Sequence, residues 1–137
     1  MKIKKFREDV KLPTRSHSTD AGLDCYMPDG FVIKPFETLC IGLGFGILVP
    51  ENYAAMFVPR SSTAKKGLIC QTSIVDCGYT GEVHLIVTNC SNNTYTFEKN
   101  DRLVSLITYK YLNEEFEEVN EFPKTERGEN GLGSSGK

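Results

Sequence analysis

Val83-His84-Leu85-Ile86-Val87-Thr88-Asn89 is the stretch from which the fold class is read. Val83, Leu85 and Val87 alternate with His84, Ile86 and Thr88, and both series carry apolar side chains, as in a central strand covered on its two faces. Further strand candidates lie to either side: Phe31 to Ile33, Thr38 to Val49 with its glycines at kinks, Tyr53 to Val58, Thr94 to Phe97, and Leu103 to Leu112. They are short and divided by turns such as Pro28-Asp29-Gly30 and Ser91-Asn92-Asn93, the signature of a sandwich. Only four alanines stand against frequent Val, Ile, Thr, Tyr and Phe, a composition that favours pleated over helical backbone. The expectation is an all-β sandwich or jelly roll with one short helix. In that helix Ser61 or Ser62 is the N-cap, Thr63 to Lys66 form the turn, and Gly67 stops it in the left-handed conformation.

A chain of 137 residues supports one core. We divide it into a compact domain over 1–112 and a C-terminal arm over 113–137, in which Asn113 to Glu126 is acidic and Pro-interrupted and Gly128 to Lys137 holds four glycines and two serines. Sixteen Lys and Arg against eighteen Asp and Glu leave a formal charge of −2, so there is no bulk attraction to nucleic acid or an anionic membrane. Apolar runs such as Ile47 to Pro50 fall far short of the roughly 18 residues of a membrane helix. Met1 to Lys5 leads into no signal-peptide core, so a soluble, unsecreted protein is expected, cytoplasmic or, in a eukaryotic host, nuclear. Cys25, Cys40, Cys70, Cys77 and Cys90 form neither a C-x-x-C pair nor a Cys/His quartet, and read as reduced, small buried hydrophobes. His17 and His84 are poor material for a histidine triad.

Three clusters could carry chemistry. Pro59-Arg60-Ser61-Ser62, running on to Lys66-Gly67-Leu68, brings a bidentate cation, hydroxyls and free N–H groups to the start of a helical turn, which suits phosphate oxygens; it also reads as an ordinary capped turn. Ile74-Val75-Asp76-Cys77-Gly78-Tyr79-Thr80-Gly81-Glu82 runs apolar residues into a carboxylate able to hold and deprotonate a water, beside an aromatic wall for a sugar or base; a plain hairpin with a polar turn is the alternative. Arg127-Gly128 through Gly136 offers glycine N–H groups and a guanidinium to a terminal phosphate, or else is a linker. Asp20 and Asp24 flank a tight turn and could help hold Mg²⁺ through water, though turn-forming explains such a pair equally. Asp101-Arg102 reads as a turn with a structural ion pair.

In this order the clusters resemble the five motifs of the trimeric deoxyuridine triphosphatases (dUTPases). Ala21-Gly22-Leu23-Asp24 is similar to the first motif and Pro59 to Ser62 with Lys66 to Leu68 to the second. Ile74-Val75-Asp76 with Tyr79 and Gly81-Glu82 is similar to the third, Asp101 to Ile107 to the fourth, and Arg127 to Gly136 to the fifth. The resemblance implies a jelly-roll subunit in a homotrimer with sites shared between chains. It also implies Mg²⁺-assisted hydrolysis of dUTP to dUMP and pyrophosphate, which limits uracil in DNA and supplies dUMP for dTMP synthesis. By position, Asp76 would activate the water that attacks the α-phosphorus, and Tyr79 would pack under the deoxyribose and exclude a 2′-hydroxyl. The hairpin with Gln71, Ser73 and Ile74 would read uracil. Arg60, Ser61 and Ser62 would hold phosphates, Asp24 would sit behind a water of Mg²⁺, and Arg127 would clamp the γ-phosphate with Gly133, Ser134 and Ser135.

This chain departs from the family pattern at several positions. Gln71, Thr72 and Ser73 stand where glycines are usual, giving a bulkier hairpin. Ser105 replaces a glutamine near the phosphates, Thr80 a frequent arginine, and Leu132 the aromatic that stacks on uracil, at a cost on the order of 1 kcal/mol. The related dCTP deaminases carry a glutamate ten residues beyond the aspartate, where this chain has Ile86. A noncatalytic jelly roll with a decayed site is the other alternative.

Overall fold

The computed structural model describes residues 1–71 and 73–130. Among them are β1 (Lys2–Lys5), β2 (Leu23–Tyr26), β3 (Phe31–Ile33), β4 (Thr38–Gly42), β5 (Phe45–Leu48), β6 (Tyr53–Pro59), α1 (Ser61–Lys65), β7 (Leu68–Gln71), β8 (Ile74–Val75), β9 (His84–Asn89), β10 (Tyr95–Phe97) and β11 (Arg102–Lys110). A four-stranded sheet runs β2-β11-β6-β8, a three-stranded sheet runs β4-β9-β7, and β1-β5 and β3-β10 form two ribbons. Every pairing is antiparallel. The all-β class with one short helix is therefore the observed one, and no helix among the described residues is long and apolar enough to cross a membrane.

β9 is the middle strand of its sheet, with Leu85, Val87 and Asn89 buried, as the alternation requires. Val83 is buried but precedes the strand, because its N–H and C=O are taken by Phe45 and Leu43 instead of a ladder. Together with Phe45, Met27, Ile33, Leu43, Ile47 and Leu103, these residues fill the core between the sheets.

Several expectations need correction. Thr38 to Val49 is two strands: at Gly44 the backbone turns to φ +74°, and a β-carbon there would lie 2.4 Å from Val10 Cγ1. The halves then take different partners, β9 for one and β1 for the other. β1 and β2 are not among the expected strands, and the hairpin expected around Gln71, Ser73 and Ile74 is not a paired one: β7 pairs with β9 and β8 with β6. The N-cap of α1 is Arg60; Ser61 and Ser62 lie in its first turn and no side chain caps it. Instead, Thr63 Oγ1 donates to the Leu103 carbonyl at 2.7 Å, and Arg60 N donates to the same oxygen at 3.0 Å. Gly67, at φ +74°, ends the helix as expected. Of the cysteines, all free, only Cys25 and Cys70 are buried, and burial pushes their thiols up to about 12 and about 11; Cys40, Cys77 and Cys90 are exposed. Residues 113–130 follow β11 without helix or strand, and Phe116 and Phe122 on them are exposed.

Asn89, wholly buried, joins two turns to the end of β9. Its Nδ2 donates to the carbonyls of Lys34 (3.0 Å) and Asn93 (2.7 Å), and its Oδ1 accepts from Ser91 N and Oγ. Replacing it with Ala strands these groups, so Asn89→Ala is expected to cost about 2–4 kcal/mol in urea denaturation at fixed protein concentration. A loss below about 0.5 kcal/mol would mean that solvent or neighbouring groups take over the bonds.

Candidate active site

The first half of the site is built around Asp24 on β2. Between the pairs Arg102↔Tyr26 and Ser105↔Asp24, β11 carries one residue more than β2. This bulge buries Leu103 and Val104 consecutively and turns Arg102 and Ser105 to the same side as Asp24. The carboxylate, 9% exposed, receives Arg102 Nη1 at 2.8 Å and Ser16 Oγ at 3.2 Å on Oδ2. Oδ1 receives Ser105 Oγ at 3.3 Å and faces Arg60 Nε at 3.3 Å. Gly22 lets this side close up, since a β-carbon there would meet Ser105 Cβ at 3.0 Å.

Arg60 reaches this carboxylate because the Leu103 carbonyl fixes its backbone at the entrance to α1. Its Nη1 makes a long 3.5 Å contact with the Arg102 carbonyl, and among the described residues Nη2 has no partner, so the fork retains donors for an anion. Arg60, Arg102, Asp24, Ser16 and Ser105 line one open cleft of about 430 Å³. Arg60 and Arg102 also line a second, of about 240 Å³, with Ser62 and Lys66. Ser61 lies exposed beside them in the first turn of α1 and lines neither. The expected pairing of Asp101 with Arg102 is not formed: Asp101 Oδ2 accepts Glu98 N at 2.8 Å, while Arg102 belongs to Asp24. Asp20 is the turn former, accepting His17 N at 2.8 Å.

The second half is the segment between β8 and β9. Asp76 follows directly on β8 and is exposed at the rim of a cleft of about 220 Å³ lined also by Ser73, Ile74, Tyr79, Glu82, His84 and Ile86. A turn brings Tyr79 N to the Asp76 carbonyl at 3.3 Å, with Gly78 between them at φ +85°. The Tyr79 ring, 46% exposed, is pinned by its hydroxyl donating to the Glu82 carbonyl at 2.8 Å. It packs so closely on Gly81 that a β-carbon there would lie 2.5 Å from the hydroxyl. Gln71, exposed at the end of β7, does not line this cleft.

Arg127 stands apart from both halves, exposed on a turn where its Nε donates to the Asn130 carbonyl at 3.0 Å. Thr72, Leu132, Gly133, Ser134 and Ser135 lie outside the described residues. Asp24 with Arg60 and Ser62, Asp76 with Tyr79, and Arg127 thus form separate groups within one chain. The residues missed by sequence reasoning are Ser16, Thr63 and the pairing of Arg102 with Asp24. Each depends on the β11 bulge or on a loop folding back, for which single-chain periodicity has no signal.

No group of three or more His, Cys, Asp or Glu among the described residues could enclose a metal ion. The donor set fits Mg²⁺ in the form that keeps its waters and relies on substrate phosphates, with Asp24 as the carboxylate nearest the arginines.

The family model described as dUTPase matches residues 8–136. The chain is 37% identical over 138 residues to a deoxyuridine 5′-triphosphate nucleotidohydrolase of Hydrogenobaculum sp., covering 98% of this chain and 96% of that one. To the enzyme of the same name from Clostridium tetani it is 33% identical, covering 100% and 97%. Its fold is similar to that of the dUTPase of Staphylococcus bacteriophage 80alpha solved with dUPNHPP, with a TM-score of 0.92 at 27% identity over 98% of this chain and 97% of that one. It is also similar to a dUTPase from phage phi11 of S. aureus, for which coordination of a structural Mg(II) ion has been described, with a TM-score of 0.83 at 23% identity over 90% and 98%.

The anchoring of Arg60 through α1 has a direct test. Thr63→Val removes the bond to the Leu103 carbonyl and is expected to cost about 1 kcal/mol of stability. It should also weaken calorimetric titration by inorganic pyrophosphate several-fold, whereas unchanged affinity would mean that Arg60 is held without this anchor.

Proposed function

The chain belongs to the dUTPase family and hydrolyses dUTP, and from that premise we propose that Asp76 activates the water that attacks the α-phosphorus, releasing dUMP and pyrophosphate. The observation that carries the reading is the exposed Asp76 carboxylate at the rim of a cleft whose wall is the pinned Tyr79 ring. A carboxylate so placed can hold a water and take its proton, while the flat ring supports a deoxyribose and leaves little room for a 2′-hydroxyl. Ser73 and Ile74 line the same cleft and are assigned to uracil, as is Gln71 from the end of β7. Ile86, at the position where a deaminase has its acid, lines the cleft with a hydrocarbon side chain, which disfavours deamination.

Arg60, Ser61 and Ser62 are assigned to the phosphates, Arg127 to the γ-phosphate with Gly133, Ser134 and Ser135, and Leu132 to uracil. Phosphoryl transfer needs mainly positioning and charge stabilisation, and one arginine delivered to such a site contributes roughly 10³ to 10⁵ in rate. Bound Mg²⁺ supplies neutralisation of the triphosphate charge, and Asp24 is the residue that would face its water shell. Asp24 meanwhile keeps Arg60 and Arg102 from repelling one another.

The sites are assigned to a homotrimer in which neighbouring chains each contribute a part. What supports this is that the Asp24 and Arg60 cleft and the Asp76 and Tyr79 cleft have no lining residue in common, and Arg127 lines neither. Closure of the C-terminal arm would bring the last cation and exclude bulk water.

Pyrophosphate release should be fast from dUTP, slow from dCTP, dTTP and UTP, and suppressed by excess chelator. Asp76→Asn should bind a nonhydrolysable dUTP analogue within a few fold of wild type yet lose turnover by about 10² to 10⁴. Normal turnover in that variant would remove Asp76 from the mechanism.

A further inference from the structure

Eight residues, Asp76 to Val83, separate β8 from β9 without a strand of their own, yet this segment carries both the water-activating carboxylate and the sugar-facing ring. Its hold on the body of the protein comes from its far end. Val83 is buried and exchanges backbone bonds with Leu43 (2.9 Å) and Phe45 (3.0 Å). One residue earlier, the Glu82 carboxylate reaches across to the turn between β4 and β5, where Oε1 accepts Gly44 N at 2.7 Å.

Three glycines make room for this contact. The carboxyl group lies over the α-carbon of Gly42, where a β-carbon would fall 2.7 Å from Oε1. Gly44 holds the left-handed conformation that presents its N–H, and a β-carbon at Gly46 would collide with the Gly81 carbonyl at 2.5 Å. The Glu82 main chain serves the opposite side: its carbonyl accepts Tyr79 Oη at 2.8 Å and is 3.0 Å from His84 Nδ1. One residue thereby links the Tyr79 ring to the turn between β4 and β5, through a bond whose acceptor is charged and which is correspondingly strong.

We propose that Glu82 is a positioning residue for the sugar-facing loop: docked on the Gly44 amide, it fixes the Tyr79 ring and so sets discrimination between deoxyribose and ribose substrates. The proposal rests on the reading of Tyr79 as the deoxyribose wall. Glu82 lines the rim of the cleft but acts through Tyr79 and touches no reacting atom.

The test compares wild type, Glu82→Ala, Glu82→Gln and Tyr79→Ala in the full chain. The readouts are kcat and KM for dUTP and UTP, the melting temperature, and hydrogen exchange at the Gly44 amide. Glu82→Ala should lower the dUTP-over-UTP ratio of kcat/KM by about tenfold, the scale of one lost hydrogen bond to a charged group. It should also remove Gly44 protection. Glu82→Gln, whose amide oxygen still accepts the Gly44 N–H, should restore both. A Glu82→Ala variant that keeps the wild-type ratio while Tyr79→Ala loses it overturns the proposal. So does a Glu82→Gln variant as impaired as Glu82→Ala, since the negative charge itself would then act on the ligand. Failure of the underlying reading is recognised separately, as a Tyr79→Ala variant that keeps its discrimination. That outcome also overturns the role of Glu82 in specificity, while Gly44 exchange still reports the contact itself.

Discussion

The carboxylate of Asp24 sits beneath two guanidinium groups because β11 carries one residue more than β2 between Arg102 and Ser105. Without that residue, strand alternation would send Arg102 and Ser105 to opposite faces. With it, Arg102, Ser105 and Asp24 share one face, and Arg60 is brought alongside by the Leu103 carbonyl, itself inside the bulge. The donors around Asp24 come from three parts of the chain, Ser16, Arg60 and the β11 pair Arg102 and Ser105, so this surface forms only when the four-stranded sheet is in register. Removing the carboxylate would leave two like charges facing one another across an open cleft without the anion that joins them.

The other half of the site is held differently. Asp76 and Tyr79 stand on a segment with no ladder of its own, and its geometry comes from close backbone approaches at Gly42, Gly44, Gly46 and Gly81 together with the Glu82 carboxylate. The half assigned to the phosphates rests on a sheet register, and the half assigned to the sugar and base rests on these loop contacts, beside the positions Gln71, Thr72 and Ser73 where the chain departs most from its family.

Much of this was legible in the sequence. The alternation in Val83 to Asn89 places a central strand correctly, although only the face of Leu85, Val87 and Asn89 is buried while His84 is exposed and Ile86 and Thr88 half-buried, and Gly67 marks the end of α1 because left-handed backbone is cheap for glycine. Arg60 and Asp76 stand out as chemistry-bearing residues at the ends of elements and Tyr79 as an aromatic ring after a glycine turn, where the structure also has them. Hidden from it were β1 and β2, the separate partners of β7 and β8, and the entry to α1, which has no side-chain cap and is tied to β11 by the Thr63 hydroxyl and the Arg60 N–H on the Leu103 carbonyl. The neighbourhood of Asp24 was equally hidden, because a bulge changes which side chains meet without changing any residue type. Arg102 therefore reads as the partner of its neighbour Asp101, when its partner lies 78 positions away.

The central claim is that the phosphate-facing and sugar-facing halves of one working site come from different copies of this chain. It is tested most directly by mixing two inactive variants, Arg60→Ala and Asp76→Asn, after joint unfolding and refolding. In a threefold assembly with shared sites, a one-to-one mixture regains about a quarter of wild-type pyrophosphate release, because mixed trimers pair an intact Arg60 on one chain with an intact Asp76 on another. A mixture as inactive as its two components would contradict the account, since both halves would then have to come from the same chain.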